Sequence, residues 1–472
     1  MASAPIDPTE PAVAAATAPG GRAWPVVVLA LAAMAILLIW PAVLLRDGDT
    51  GWHLGAGDFI WRTRTIPAVD PFSFTFRGQP WTAHEWLSEL LMSGAFRVGG
   101  WNGLTVLFAL AAAGTLLLIG RELLRWLPPR WAAVGVLVVG FVGVPLTVAR
   151  PHLFAWALFA GWLIILLRAR EQRRAPPWIA LALMTLWANL HASYILGIGV
   201  AGIFTVEALI DHRHEPRLAL RWALWGLLAI AATALTPHGL QGFLYPFQVR
   251  DMKVLAIIDE WRPADLRDTP FLLYAALFWL FLATRWRQVS PLRLLLLGGL
   301  FVMTLLHVRD QILFAIAGAL IAAPLAGSGQ HDARLPWRTI VPVLGLLALV
   351  RMMVPWSLPN SPVFPLALID RLPASLKAQP VLNDYSMGGP LIMRGIAPAI
   401  DGRADMYGDD FTFAHLAMQR GDMAKFRAFV QRWNVGWTIL TRDSPLAKKL
   451  DHEPGWRRLA WDANAVVHVR TR

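Results

Sequence analysis

Apolar runs long enough to cross about 30 Å of hydrocarbon as helix, roughly 17 to 25 residues, dominate this chain. Eleven recur, near 24–45, 102–120, 131–149, 151–167, 177–192, 194–210, 219–236, 270–284, 291–307, 311–326 and 338–356. A helix buries its own backbone polar groups, so repeated apolar runs of this length predict an all-α polytopic membrane bundle of about 11 transmembrane helices. The run from 177 to 210 divides at His191 to Tyr194, because about 32 residues of continuous helix would exceed the membrane thickness.

Composition agrees, with 56% hydrophobic residues, 16% charged residues and a mean hydropathy of +0.49. The net charge of +12 comes from small Arg groups between apolar runs, which suits membrane topology and excludes a phosphate-tracking nucleic-acid groove. There is no cysteine, hence neither a disulfide nor a thiolate site. Many of the 24 Trp residues end apolar segments, where their rings suit the headgroup layer. Residues 1–23, rich in Ala and Pro and without a secretory pattern, are expected to form a disordered cytoplasmic tail.

Basic charge alternates between the short loops. Arg121, Arg125 and Arg130 follow the second run, Arg168, Arg170, Arg173 and Arg174 the fourth, Arg213, Arg217 and Arg221 the sixth, and Arg285, Arg287 and Arg293 the eighth. The positive-inside rule makes these loops cytoplasmic, and places the long loop 46–101 and everything after 357 on the outer, periplasmic side. Residues 24–357 then form the membrane domain. Residues 358–472, with shorter apolar runs and strand-like segments at Pro380 to Leu382, Ala397 to Ile400 and Val435 to Leu440, are expected to form a small soluble α/β domain.

The first outer loop carries the clearest chemistry. Asp47 and Asp49 leave the first run directly, and a helix from Thr50 would lay Trp52, Leu54, Phe59 and Ile60 on the interface, with Asp49 near its amino terminus. Carboxylates there can remove a proton from a hydroxyl or hold a divalent metal, Mg or Mn, at Asp47 and Asp49; helix capping accounts for one of them. His53 lies close by, and His84 with Glu85 precedes an amphipathic helix running to about Phe96, as acid, base, ligand or cap. The other boundary polar residues fall on the same side: Arg150 and His152, Asn189 and His191, His238, Glu260, and His307 with Arg309. Arg and His beside a carboxylate-bearing loop suit an anionic lipid-linked phosphate. In the outer domain, Gly388 and Gly389 permit a tight turn into a helix, and Asp401 with Arg403 forms either an ion pair closing a loop or a substrate contact.

This pattern resembles the glycosyltransferase C superfold, polytopic enzymes that take sugars from polyprenyl-phosphate carriers. The segments DGDTGWHLGAGDFIW, PFSF, HEWLSELL, ARPHLF, WANLHASY and IDGRADMYGD look like motifs of a large group of bacterial membrane proteins related to that superfold. The resemblance implies a first-loop Asp as base or metal ligand, mapping to Asp49 with Asp47 second, and basic residues in later outer loops that grip the carrier phosphate, mapping to Arg309, Arg150 and His152. No WWD tripeptide is present, so the resemblance does not extend to peptide glycosylation. The activity implied is inverting transfer of a sugar from an undecaprenyl-phosphate-type donor to a lipid, glycan or protein hydroxyl, on the periplasmic face of a bacterial inner membrane. Asp49, Asp47 and Glu85 would be catalytic; His53, His84, Arg150, His152, Asn189, His191, His307, Arg309, Asp401 and Arg403 would bind substrate. Two other classes share the pattern. A lipid or glycan flippase would need polar residues at mid-membrane or internal repeats, and a scaffold of an envelope polysaccharide machine would not need the acidic residues.

Overall fold

A computed structural model describes residues 23–471 except Leu266, Asp268 and 328–333, so the expected tail over 1–22 lies outside the described residues, as does His331. Helices α1 (Trp24–Ile39), α2 (Asp49–Thr63), α3 (Trp86–Leu123), α4 (Pro129–Gly143), α5 (His152–Glu171), α6 (Ala180–Leu190), α7 (Tyr194–Asp211), α8 (Pro216–Ala232), α9 (Gly239–Arg250), α10 (Thr269–Arg285), α11 (Pro291–Leu306), α12 (Gln311–Ala326) and α13 (Trp337–Met353) build the first part. Every apolar run coincides with one of them, and α2 and α9 lie in the long connecting segments. The chain is a multi-pass membrane protein. Among the described residues, five helical stretches have both the length and the apolarity to cross a bilayer, those built on α3, α4, α5, α7 and α12. Helix α6 is shorter for a local reason. Pro176 and Pro177 delay the start of α6, and His191, in extended conformation, stops it after 11 residues. The break between α6 and α7 thus falls at the expected place.

Helix α3 is two helices in series. Gly99 and Gly100 leave helical geometry, Gly100 at φ 56°, a conformation only glycine adopts without strain, so the first half can depart from the direction of the apolar second half. Exposed Leu227, Leu273, Leu277 and Leu295 on α8, α10 and α11 face the lipid. At one end of the bundle, buried Glu122 pairs with Arg125 and Arg168, and buried Glu207 with Arg170 and Arg293. These Arg residues belong to the loops that the charge rule groups together. The other end carries α2 and the remaining polar residues.

The carboxyl-terminal part contains α14 (Leu366–Arg371), α15 (Ala374–Lys377), α16 (Gly388–Met393), α17 (Ala404–Gln419), α18 (Met423–Trp433), α19 (Pro445–Leu450) and strands β1 (Val381–Asn383), β2 (Trp437–Thr441), β3 (Trp456–Trp461) and β4 (Ala465–Arg470). They form a four-stranded sheet in the order β1-β2-β4-β3, parallel between β1 and β2 and antiparallel elsewhere. The expected strand at 397–400 is reduced to a single bridge from Pro398 to Val381.

Helix α2 differs from the interfacial helix expected. Trp52, Leu54 and Ile60 are buried in protein, because glycines let backbone approach from two sides. A Cβ on Gly51 would meet the Gly389 backbone, one on Gly48 the Ser386 carbonyl, and one on Gly57 the Glu89 carbonyl. Gly388 and Gly389 do not make a tight turn either. Gly388 has ordinary helical angles (φ −60°), and both glycines sit where a side chain would strike Asp401 or Gly48. Replacing Gly389 with Val is expected to cost at least the roughly 1–3 kcal/mol of core overpacking, read as a lowered unfolding midpoint in nanodiscs. An unchanged midpoint would contradict the close approach of α2 and α16.

Candidate active site

Asp49 is the first residue of α2, yet its carboxylate caps nothing; Asp47 Oδ1 instead accepts the Asp49 backbone N–H at 2.9 Å. The capping role therefore belongs to Asp47, and the Asp49 side chain is left for other partners. Thr50 donates to the Ala149 carbonyl at 3.1 Å, which fixes the start of α2 beside the turn between α4 and α5. That turn presents Arg150. Its Nη1 lies 3.3 Å from Asp47 Oδ2, 3.2 Å from Asp49 Oδ2 and 2.9 Å from Glu260 Oε2. One guanidinium thus joins three carboxylates from the first loop and from the segment before α10.

Arg309, on the turn between α11 and α12, has its guanidinium carbon over the Trp261 ring, 3.2 Å from the centroid, and a nitrogen 3.9 Å from Glu260. It is 34% exposed and more loosely paired than Arg150, which leaves donors for an incoming anion. Burial pushes the Asp49 carboxyl up to about 7, against the pull of Arg150 and with the help of neighbouring Asp47 and Glu260. On the far side of Asp49, Gly402 leaves room for that carboxylate, since a Cβ there would collide with it.

Beside this charged centre lies a second group. Glu85, at the amino end of α3, makes no cap bond and instead faces three imidazoles: His191 Nε2 at 3.5 Å, His84 Nε2 at 3.8 Å and His53 Nε2 at 3.9 Å. His53 is fully buried and also 3.6 Å from Glu89. His84 stacks on Tyr245 of α9 at 4.0 Å. Burial raises Glu85 to about 8 and lowers His84 to about 4.

The other expected site residues are committed to the scaffold. Asn189 accepts from the Trp86 indole and donates to the Thr185 and Leu235 carbonyls. A ring nitrogen of His152 is 2.8 Å from the Leu146 carbonyl, and one of His307 is 3.0 Å from the Trp261 carbonyl. Asp401 and Arg403 are almost wholly buried and form a bidentate pair, with Arg403 Nη1 also 2.9 Å from Asp70 and Tyr407 donating to Asp401 at 2.8 Å. Arg403 lies against Phe72 and Trp81. Of the two roles open to Asp401 and Arg403, this geometry fits the ion pair, and it ties the carboxyl-terminal part to the first loop.

Glu260, expected only as a boundary residue, joins the charged centre, and Glu89, Asp70, Asp405 and Tyr245 join these clusters without having been singled out. Glu89 lies inside HEWLSELL and Asp405 inside IDGRADMYGD, Asp70 immediately precedes PFSF, and their acidity in an Arg-rich chain was the available signal. The metal expected at Asp47 and Asp49 does not fit this arrangement. Among the described residues no group of three or more His, Asp or Glu can hold one, and the point on which Asp47, Asp49 and Glu260 converge is occupied by the Arg150 guanidinium.

The fold is the glycosyltransferase C superfold. The chain is similar in structure to the Archaeoglobus fulgidus oligosaccharyltransferase in its apo form, with a TM-score of 0.55 at 11% identity over 88% of this chain and 69% of that one. It is also similar to ArnT from Cupriavidus metallidurans bound to undecaprenyl phosphate, with a TM-score of 0.50 at 14% identity over 94% of this chain and 97% of that one. No protein-family model and no curated protein sequence matches the chain.

Asp70→Ala would leave Arg403 with one fewer carboxylate in a buried setting, a change that costs about 3–5 kcal/mol when a buried pair is broken. Faster proteolysis at the junction of the first loop and the carboxyl-terminal part is expected. Wild-type resistance in that variant would remove the clamp from the account.

Proposed function

We propose that the protein is a membrane glycosyltransferase that moves a sugar from a polyprenyl-phosphate carrier to an acceptor hydroxyl, on the periplasmic face of the bacterial inner membrane. The observation that carries this is the juxtaposition, within a glycosyltransferase C fold, of a carboxylate raised to about 7 and an Arg150–Arg309 pole. Asp49 accepts the proton of the acceptor hydroxyl as its oxygen bonds to the anomeric carbon. The bond from that carbon to the phosphate oxygen breaks, and its electron pair leaves on the phosphate. Arg150 and Arg309 stabilise that developing charge, which is where preorganised donors count most. Attack opposite the leaving phosphate inverts the anomeric centre.

A base must be ionised, so the rate should climb as pH rises through about 7, the value to which burial lifts Asp49. Asp49→Asn should lower transfer by at least about 10²-fold with the fold intact. Full activity of purified D49N in proteoliposomes would refute the assignment, and carrier movement without glycosidic product would favour a flippase. With Arg150 supplying the positive charge at the carboxylates, transfer is expected to persist in EDTA. Loss in EDTA with recovery on adding Mg or Mn would return Asp47 and Asp49 to metal binding. A carboxyl-terminal alkaline phosphatase fusion should be active, as a periplasmic terminus requires. A cytoplasmic terminus would invert the proposed orientation.

A further inference from the structure

Glu85 and its three imidazoles take no part in the steps above, although they border them. We propose that the Glu85 carboxyl is a hydrogen-bond donor in a subsite for the uncharged, hydroxyl-rich ring carried on the donor phosphate. This rests on the carrier phosphate lying at Arg150 and Arg309, because the sugar is then the group next to that pole.

The hydrogen-bond geometry around the imidazoles carries the argument. His84 Nδ1 is 3.3 Å from the Thr82 carbonyl, which can only accept, so that nitrogen holds the proton and Nε2 turns a lone pair to Glu85. His191 Nδ1 accepts the Ser193 backbone N–H at 3.2 Å, so its Nε2 turns an N–H to Glu85. Glu85 Oε1 therefore stands between one acceptor and one donor. A neutral carboxyl suits such a place, having one O–H to give and lone pairs to receive. An ionised carboxylate, acceptor only, would face the His84 lone pair.

At 3.5 to 3.9 Å these contacts are too long to be satisfied hydrogen bonds. Both nitrogens of His53 and Glu89 Oε2 are buried with no hydrogen-bond partner among the described residues. Polar groups gathered but left unsatisfied are what a polyhydroxyl ring can complete, at a cost to any ligand that lacks the hydroxyls. The stacked His84 and Tyr245 rings supply an apolar wall for ring carbons.

Among the described residues no permanent cation pairs with Glu85. Facing it are His53 of α2, His84 before α3, Glu89 of α3, His191 of the α6–α7 turn, Tyr245 of α9, Asp405 of α17, and, farther off, Arg150, Glu260 and Arg309. The two Arg residues are engaged with Glu260. Burial raises Glu85 to about 8, so the O–H is present at neutral pH and is lost as pH rises through that value. With no cation at Glu85 to neutralise it, a buried anionic ring is disfavoured, so a uronate should be rejected.

Binding can be measured on the full-length protein in nanodiscs with undecaprenyl phosphate and with the same carrier bearing glucose, galactose, mannose or glucuronate. At pH 7 at least one neutral hexose should bind about 10-fold tighter than the bare carrier, the worth of one or two hydrogen bonds. Glu85→Ala should abolish that gain. Glu85→Gln, whose amide still donates, should keep most of it. At pH 9 the wild type should lose the gain and E85Q should retain it. A gain indifferent to E85A, no gain for any neutral hexose, or a larger gain for glucuronate would each overturn the proposal. Bare-carrier binding that is unchanged by replacing Arg309 with Ala would instead count against the phosphate pole, separating failure of that reading from failure of the subsite.

Discussion

The structure turns on Arg150. A guanidinium this deep must be neutralised in place, since an uncompensated buried charge costs several kcal/mol. Three carboxylates do so, from residues 47, 49 and 260. They come from stretches far apart in sequence, so the requirement to surround one charge fixes the first loop, the α4–α5 turn and the segment before α10 relative to one another. Asp49 gains its character from this arrangement. Burial disfavours its charge and Arg150 restores part of it, leaving a carboxylate poised near neutrality.

The carboxyl-terminal part belongs to the same construction. Glycines on α2 and α16 bring the two backbones together, and Gly402 admits the Asp49 carboxylate. The Asp70–Arg403–Asp401 network then fastens the first loop from behind. The opposite end of the bundle is closed by a separate set of ion pairs around Glu122 and Glu207. Chemistry at one end and closure at the other suit transfer on one face better than passage through the membrane.

Much of this was legible in the sequence because its causes are local. Apolar run length fixes helices, and proline with the extended His191 fixes the break between α6 and α7. The gathering of Asp47, Asp49, Glu85, Arg150 and Arg309 followed from counting sides of the bilayer. What escaped was long-range. The burial of α2 depends on a partner more than 300 residues away, although the spacing of Gly48, Gly51 and Gly55 along one helical face was its trace. Which of Asp47 and Asp49 serves the start of α2 is decided by one hydrogen bond that spacing cannot rank. Asp405 and Glu89 matter only because of what the fold brings to them.

The central claim is that this cluster is built to receive a lipid-linked phosphate. A structure of the protein in nanodiscs with undecaprenyl phosphate tests it directly. Phosphate density is expected within hydrogen-bonding distance of Arg150 or Arg309 and beside Asp49, with the lipid chain running out between helices. Phosphate bound at the Glu122–Glu207 end, or a lipid seated with the cluster untouched, would contradict it.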